Sequence, residues 1–414
     1  MDFNPAVLAL EFSILKSSSD KGPLHYLDNA AMTQVPDCVI EAIVEHETRC
    51  RSNVKRALHS LAEAATDAFE AARSRVADYL GVNSAQEIIF TSGTTAGINM
   101  LALSLGHNLK PGDEILLSHL EHHSNIVPWH MLKQQRGVSI RYLPVTDDGR
   151  LDLDSAEDLI TDRTRLGAVR HGSNVTGAIT DVMPLARLAH DKGASLMLDG
   201  AQVAPQGPLD LPSLDVDFYV FSGHKVYGPS GIGVLWGKRD LLEKLPPALG
   251  GGEMISHVSL DKSSFLNPPH RFEAGTPPVT QAVGLGASLE WLGRQDLSGL
   301  HGHLNGLIEK IMEGLNLLDG GLNRIRVLGP ALGENRLPLV SFAVRDIHPH
   351  DICQVLNDRH GVALRGGYHC AEPLHELWNL DGSTRASLAA FNLKSDVDAF
   401  LNGMEDCMKL LSQC

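Results

Sequence analysis

Long apolar runs are missing from this sequence, which has no stretch near the roughly 20 residues that a membrane-spanning helix requires. The apolar stretch at residues 7–10 is followed by Glu11 and lacks a basic leader, so we expect no signal peptide. Positive charge is also scarce: the sequence contains 35 lysines and arginines but 50 aspartates and glutamates, which gives a formal net charge of −15. Because nucleic-acid phosphates would be repelled, we expect no nucleic-acid partner, although a local basic pocket for a small anion is compatible with this balance.

Paired cysteines are missing as well. No two cysteines form a C-x-x-C pair or a paired zinc spacing. The chain is otherwise ordinary for a globular protein, with 43% hydrophobic and 21% charged residues. In a chain of this length, scattered cysteines favour free thiols in a reducing compartment over a disulfide framework, and we expect a cytoplasmic protein. The six cysteines are Cys38, Cys50, Cys353, Cys370, Cys407 and Cys414.

From about Tyr26 to Trp236, short apolar runs alternate with amphipathic stretches. This alternation predicts crossover units and a mainly parallel sheet that is buried on both faces. We predict helices at 98–105, 126–135 and 183–191. The predicted strands lie at residues 87–91, 114–118, 166–170, 195–199, 217–221 and 231–236.

The pattern changes after a loop-rich region at 245–278 and a long predicted helix at 279–292. Helices near 304–317, from 350 and at 396–411 then accompany strands at 338–344 and 362–365, which is typical of a smaller α+β domain. A chain of this length favours two domains. We therefore predict an N-terminal segment (1–25) that packs with the small domain, a large α/β domain (26–293) and a small C-terminal domain (294–414).

One candidate anion site follows the first predicted strand. Residues 91–95, with Gly93 in the middle, open a helix directly after that strand. Free backbone N–H groups and the positive helix end would face an anion, and Thr94 and Thr95 add hydroxyl donors. The same residues are equally compatible with a glycine turn and a threonine N-cap.

Two further residues follow predicted strands. Asp199 ends a buried strand at the edge where open α/β sheets bind ligands. Its carboxylate is either a structural cap or the partner of a cationic ring nitrogen, which keeps a pyridine protonated as an electron sink. Lys225 follows the next strand, 26 residues later. A lysine beside an anion site and a strand-end carboxylate favours Schiff-base chemistry with an aldehyde cofactor over a solvated surface lysine.

These motifs resemble those of the class V aminotransferase-fold enzymes that use pyridoxal 5'-phosphate (PLP), and within them the group II cysteine desulfurases. The resemblance implies the PLP-dependent transferase fold type I, with a mainly parallel seven-stranded sheet in the large domain. The matching motifs run in the family's order from near residue 26 to near residue 392: YLDNAA (26–31), GTT (93–95), EHHSN (121–125), DGAQ (199–202), SGHK (222–225), GGGEM (250–254), FEAGTPP (272–278), HPHD (348–351), HCA (369–371) and RAS (385–387).

The resemblance implies how the cofactor would be held. Lys225 would form the Schiff base and move protons at the substrate Cα. Asp199 would pair with the pyridine nitrogen and Gln202 with the phenolic oxygen, while His123 would stack on the ring face. The phosphate would be bound by Thr94, Thr95, Ser222 and His224.

The resemblance also implies a homodimer, in which Thr276 reaches the phosphate bound by the other subunit. Asn174 and Arg385 would bind the substrate carboxylate, for which a planar guanidinium is well shaped. The adjacent His122 and His123 have no third ligand at an interpretable spacing, so we expect no metal site.

Cys370 decides which reaction is expected. It lies in a glycine-rich loop that we expect to be mobile, where it is either a buried apolar residue or a nucleophile with His369 as a nearby proton acceptor. The resemblance favours the nucleophile and leaves the other five cysteines without a role. The expected reaction removes sulfur from L-cysteine, giving L-alanine and a persulfide on Cys370 that a small acceptor protein would take.

Several positions depart from the family's pattern and leave the substrate open. The alternatives are a PLP-dependent C–S β-lyase that does not need Cys370, a selenocysteine lyase, a cysteine sulfinate desulfinase and an amino-acid epimerase. A non-catalytic scaffold on the same fold is a third class, which the joint presence of Asp199, Lys225 and Arg385 disfavours. The departures are Met32, Lys55, Ser92, Arg170, Gly172, Thr176, Tyr368 and Leu393.

Overall fold

The computed structural model describes residues 3–16, 18–19, 22–55 and 58–411. Cys414 and part of the predicted N-terminal segment lie outside the described residues. In the described part of the chain, no helix combines the length and the apolar character that a membrane crossing requires. The α-helices are α1 Pro5–Ala9, α2 Asp37–Arg49, α3 Ser60–Tyr79, α4 Thr94–Gly106, α5 Val127–Arg136, α6 Ala156–Leu159, α7 Met183–Asp191, α8 Leu211–Leu214, α9 Arg239–Lys244, α10 Val279–Gly293, α11 Leu297–Asp319, α12 Pro349–His360, α13 Glu372–Leu377 and α14 Lys394–Leu411.

Within the described residues, the strands form one large sheet, one four-stranded sheet and three short pairs. They are β1 Ser18–Ser19, β2 Gly22–Pro23, β3 His25–Tyr26, β4 Ile88–Thr91, β5 Glu114–Ser118, β6 Ser139–Leu143, β7 Thr164–Arg170, β8 Ser195–Asp199, β9 Phe218–Ser222, β10 Gly233–Gly237, β11 Ile255–Val258, β12 Ser263–Phe265, β13 Ile325–Leu328, β14 Leu339–Val344, β15 Val362–Ala363, β16 Arg365–Gly367 and β17 Ser383–Ser387.

The large sheet has seven strands in the order β4-β10-β9-β8-β7-β5-β6. All its neighbours from β9 to β6 are parallel, and only β10 runs against its two neighbours. The predicted α/β class with a mainly parallel seven-stranded sheet is therefore confirmed. Strand β6 was not predicted from the sequence, because it lies at the sheet edge and is only partly buried, so it lacks a continuous apolar run.

The strands are apolar on both faces because the sheet separates two hydrophobic clusters. On β4, Ile88 and Phe90 belong to one cluster and Ile89 to the other, as the two-residue period of a strand requires. Each fully buried aliphatic side chain of this kind contributes about 1.5–3 kcal/mol. Helices α2, α3 and α10 pack together, while α4 contacts β9 and β10. The ends of the strands are thus held rigidly enough to position functional side chains.

The second sheet is antiparallel, with the order β13-β14-β17-β16. The single strand predicted at 362–365 is divided in two. Its first part, β15, pairs with β3 near the N-terminus, whereas β16 pairs with β17. This division carries the chain after β16 to the open end of the large sheet. The domain boundary near Gly293, where α10 ends, stays a prediction.

Candidate active site

A cavity of about 230 Å³ lies at the carboxyl ends of β7, β8 and β9, with the chain around β16 and β17 as its opposite wall. The parallel strands end at the same edge, so their last side chains meet there. Most of the predicted site residues line this cavity, namely Thr94, Thr95, Asn174, Asp199, Ser222, His224, Lys225, Cys370 and Arg385.

Hydroxyl groups surround the start of α4. Gly93, with a φ of +142°, turns the chain from β4 into the helix, a conformation that favours glycine. The Thr94 N–H donates to Ser222 Oγ at 2.8 Å, and the two hydroxyls lie 2.7 Å apart. Thr95 Oγ1 lies 2.6 Å from the hydroxyl of Ser124. This cluster at a helix N-terminus has the donors that a phosphate requires.

The carboxylate of Asp199 is 2% exposed and faces a buried cation. Its Oδ1 accepts the Ala201 N–H at 3.0 Å, and its Oδ2 lies 3.8 Å from Nη2 of Arg170, which is 1% exposed. Arg170 is therefore a site residue that was not predicted from the sequence, where it stands out only as a departure from the family's pattern. The available signal was its position, since Arg170 and Asp199 are register partners at the ends of adjacent parallel strands.

Lys225 ends a short 3-10 helix, Gly223–Lys225, directly after β9. Burial lowers the pKa of its amine to about 8, with Arg170 and Arg385 lowering it further and Asp199 opposing the shift. A lysine with a pKa near 8 is partly neutral at physiological pH. It therefore suits the role of a nucleophile and proton carrier better than a solvated lysine.

The structure separates the two adjacent histidines. His122 lines the cavity, and its burial, together with Arg170 and Lys225, lowers the pKa of its ring to about 2. The predicted ring-stacking residue, His123, instead contacts the Cys370 loop. Its ring Nε2 accepts a hydrogen bond from the Glu372 N–H at 3.2 Å, and its backbone N–H donates to the Cys370 carbonyl at 2.8 Å. His122 is thus the histidine that faces the space a cofactor ring would occupy.

Two other predicted residues lie outside the cavity lining. Gln202 donates to the Ala30 carbonyl at 2.8 Å and lines a neighbouring cleft. Thr276 lies in a separate, largely apolar cavity with Phe90 and Phe272. Their expected contacts with a cofactor stay predictions.

The loop of Cys370 connects β16 with α13 and is anchored through its carbonyls. Asn174 Nδ2 donates to the His369 carbonyl at 2.7 Å, and His123 binds that of Cys370. His369 and Cys370 have φ values of +52° and +57°. This loop, expected to be mobile, places the thiol in the cavity that Lys225 lines, with Sγ 4.0 Å from Nη2 of Arg365.

Arg385 presents an unused donor. Its Nη1 donates to the Asn174 carbonyl at 3.0 Å and its Nη2 to Asp28 Oδ1 at 3.2 Å. Its Nε is buried and has no hydrogen-bond partner within the described residues. Burial lowers the pKa of Arg385 to about 10, which still leaves a cation at neutral pH. Both ends of the Asn174 amide are bonded to protein, to His369 and to Arg170, so here Asn174 holds the loop and the arginines.

The charges of the cavity fit an anionic ligand. Among the described residues that line it, Asp199 is the carboxylate that faces Arg170, Lys225, Arg365 and Arg385. Together with the hydroxyl cluster at α4, the reactive amine and the unsatisfied Nε of Arg385, this donor set fits PLP and an amino-acid carboxylate.

Apart from Arg170, the departures from the family's pattern lie away from this lining in the described chain. The Lys55 amine is 2.9 Å from His270 Nδ1 and 3.7 Å from Glu273, and Met32 and Tyr368 are exposed. The neighbouring Arg56 lies outside the described residues.

Two further departures have structural explanations. A Cβ on Gly172 would lie 2.8 Å from Val203 and 2.9 Å from Leu337, so a larger residue does not fit without movement. The buried Thr176 hydroxyl donates to the Gly149 carbonyl at 2.9 Å.

Comparisons with known proteins agree with this geometry. A family model described as aminotransferase class-V matches residues 25–400. A probable cysteine desulfurase of Streptomyces coelicolor is 42% identical over 401 residues, which is 95% of each chain. A cysteine desulfurase of Haloferax volcanii is 40% identical over 395 residues, covering 95% of this chain and 91% of the relative. The crystal structure of the cysteine desulfurase CsdA from Escherichia coli is 39% identical, covers 99% of each chain and superposes with a TM-score of 0.89.

Proposed function

The chain belongs to the class-V aminotransferase family, and we propose that it is a PLP-dependent cysteine desulfurase that converts L-cysteine to L-alanine. The observation that carries the proposal is that the Cys370 thiol and the Lys225 amine line one cavity. Full-length relatives at about 40% identity that are named cysteine desulfurases support it. A β-lyase would need the amine and the cofactor but not the thiol.

The residues of the cavity would hold PLP in a defined orientation. Lys225 would bind its aldehyde carbon, Asp199 its ring nitrogen, and Thr94, Thr95, Ser222 and His224 its phosphate. We assign the ring-facing role to His122, because it lines the cavity while His123 holds the Cys370 loop. When bound, PLP withdraws electrons from the Cα of an attached amino acid.

The substrate is oriented by its carboxylate. Arg385 offers a buried Nε that has no partner among the residues the structure describes, and its two other nitrogens donate to Asp28 and Asn174. A carboxylate at this position would satisfy that donor with a charge-assisted hydrogen bond. The partly neutral amine of Lys225 would then accept and return protons at the substrate Cα.

Cys370 would be the residue that accepts the sulfur from the substrate. Its thiolate attacks the substrate sulfur, an S–S bond forms, and the C–S bond breaks with its electron pair going to the substrate Cβ. Protonation of that carbon yields alanine and leaves a persulfide on Cys370. The Arg365 guanidinium lies 4.0 Å from Sγ, in the wall of the cavity where this attack would take place.

The assembly and the partner follow from the same chemistry. A homodimer is supported by the position of Thr276, which does not line the cavity of Lys225 but lines a separate apolar cavity with Phe272 and Leu249. A persulfide on the enzyme requires an acceptor, and we infer a small protein. The free cysteines of the described chain suit a reducing compartment such as the cytoplasm.

The decisive experiment incubates the PLP-loaded protein with L-cysteine and quantifies alanine, pyruvate and sulfide, with and without a thiol reductant. We expect alanine to match sulfide after reduction, and the mass of one sulfur atom on Cys370 before it. Cys370→Ser should abolish sulfur transfer and keep PLP, while Cys38→Ser, which changes an exposed cysteine, should leave both sulfur transfer and PLP binding unchanged. Pyruvate in place of alanine would overturn the proposal in favour of a C–S β-lyase.

A further inference from the structure

A buried polar network lies behind the Cys370 loop. His369, His375 and Ser383 are 4%, 0% and 0% exposed, so bulk solvent does not provide hydrogen-bond partners for their side chains. His369 Nε2 lies 3.0 Å from the Ser383 carbonyl oxygen and 3.1 Å from its hydroxyl. His375 Nε2 lies 2.9 Å from the same hydroxyl, and His375 Nδ1 lies 3.0 Å from the Ala371 carbonyl. The mechanism above uses none of these side-chain contacts.

The acceptors in this network determine where the protons are. A carbonyl oxygen can only accept, so His375 must carry its proton on Nδ1 to bind Ala371. Burial lowers the pKa of His375, which makes the neutral ring the relevant form. Its Nε2 is then a bare acceptor and takes the hydroxyl proton of Ser383.

The same reasoning gives the tautomer of His369. The Ser383 carbonyl can only accept, and its hydroxyl has already donated to His375, so Nε2 of His369 carries the proton that both oxygens share. Burial and the nearby Arg385, His375 and Arg365 lower the pKa of His369 well below its usual value, so the ring is neutral. Nδ1 is therefore an unprotonated acceptor.

This acceptor has no partner in the described part of the chain. Nδ1 of His369 is buried and forms no hydrogen bond with any residue that the structure describes, while His369 lines the active-site cavity. A buried acceptor without a donor is energetically unfavourable, so a hydrogen-bond donor on a bound ligand would be favoured next to Nδ1.

We propose that Nδ1 of His369 accepts a hydrogen bond from the thiol of the amino-acid substrate and so selects a thiol-bearing substrate over its desulfurated product. The inference rests on the proposed function. The carboxylate of an amino acid on Arg385 cannot donate, whereas the S–H group of cysteine can. The thiol must also come close to Cys370, the chain neighbour of His369. The amino and carboxylate groups are common to both amino acids, and the methyl side chain of alanine has no donor that could satisfy Nδ1.

The test compares two ligands in protein that cannot turn over. PLP-loaded Cys370→Ser protein is titrated with L-cysteine and with L-alanine, and the visible absorbance of the cofactor reports binding. Adding His369→Phe fills the same space without a nitrogen acceptor, and we expect L-cysteine to bind about tenfold more weakly. L-Alanine should bind as before. Adding His369→Asn, whose amide oxygen can lie near the position of Nδ1, should restore part of the preference.

The outcomes separate the inference from the proposed function. An equal loss for both ligands would show that His369 only supports the loop, and an unchanged preference for L-cysteine would show that Nδ1 does not contact the thiol; either result overturns the inference. The wild-type assay for alanine and persulfide tests the proposed function independently. A desulfurase whose His369→Phe variant keeps its preference would leave the function standing and remove only this assignment.

Discussion

The guanidinium of Arg170 lies 3.8 Å from the carboxylate of Asp199, and both side chains are almost completely buried. The two residues are register partners on β7 and β8, so the sheet itself brings them together. Arg170 thereby places a cation beside the carboxylate proposed to bind the cofactor ring. Burial is the main cause of the lowered pKa values of Lys225 and His122, and the charge of Arg170 lowers both of them further.

Replacing Arg170 by methionine should destabilise the PLP-free protein by about 3 kcal/mol, because the buried carboxylate of Asp199 would lose the guanidinium with which it pairs. Urea unfolding at pH 7 measures this change. The control is Arg165→Met, which changes a partly exposed arginine of the same strand paired with Asp113. It should cost at most about 1 kcal/mol. An equal loss of unfolding free energy in the two variants would show that the buried Arg170–Asp199 pair contributes no more to stability than the partly exposed pair.

Lys225 should make the PLP-free protein less stable at neutral pH. Its folded pKa of about 8 lies below the unfolded value of 10.5, so the unfolded chain binds more protons, and the penalty is full below pH 8 and disappears as the pH rises to about 10.5. Lys225→Met should therefore stabilise the protein at pH 7, by up to about 3 kcal/mol, and by much less at pH 10.

Lys238 provides the control of opposite sign for this experiment. Burial opposes the shift, but Asp217 and Asp215 raise the pKa of Lys238. Its contribution is therefore stabilising at pH 7 and is lost only as the pH rises through the folded pKa. Lys238→Met should lower the free energy of unfolding at pH 7. A destabilising effect of both variants at this pH would contradict the prediction for Lys225.

Glu273 should confer acid sensitivity. Burial alone would raise the pKa of its carboxyl, but Arg73, His270 and the Phe90 N–H lower it to about 2. Because the unfolded value is 4.5, the stabilisation is complete above pH 4.5 and is lost as the pH falls towards 2. Glu273→Gln should cost about 3–5 kcal/mol at pH 7 and less at pH 3, as measured by urea unfolding.

The matched control is Glu45→Gln, which removes an exposed pair with Arg49 on the surface of α2. This change should be worth at most about 1 kcal/mol at either pH. If the cost of Glu273→Gln were the same at pH 3 and pH 7, the carboxylate would not be the origin of the stabilisation.

His122 and His123 should have separable effects. His122→Ala should weaken PLP binding and shift the cofactor absorbance, because His122 faces the cavity. His123→Ala should leave the absorbance unchanged and increase the rate at which iodoacetamide alkylates Cys370, because it releases one anchor of the loop. The reverse pattern would restore the original sequence-based assignment to His123.

A larger residue at position 172 should lower the stability of the protein. Gly172→Val should destabilise the protein by about 1–3 kcal/mol through overpacking against Val203 and Leu337, and Leu337→Ala should recover part of that loss in the double variant. Gly302→Ala, at a helical position where a Cβ meets no atom within 4 Å, should stabilise by about 0.5–1 kcal/mol. Thermal unfolding measures all of these variants. A neutral Gly172→Val would mean that this departure has no packing cause.

Buried elements are the ones whose bounds could be predicted most accurately from the sequence. Strands β5 and β8 were predicted at their observed bounds, because continuous apolar runs are needed where both faces are covered. The helix at 183–191 was also predicted at its bounds. Helix α11 begins earlier than predicted, at Leu297, where Asp296 caps it by accepting the Gly299 N–H at 3.0 Å. Helices α2 and α3 were not identified from the sequence.

The sequence by itself determined the fold class and the inventory of reactive groups, because apolar periodicity and strand-end motifs are local properties of the chain. Which groups meet is decided only by the tertiary structure. Neighbours in sequence diverge, as His122 and His123 do, and distant residues converge, as Lys225 and Cys370 do. The tautomer of His369 depends on Ser383, 14 residues away, because a proton's position follows from the acceptors that packing brings within hydrogen-bond distance.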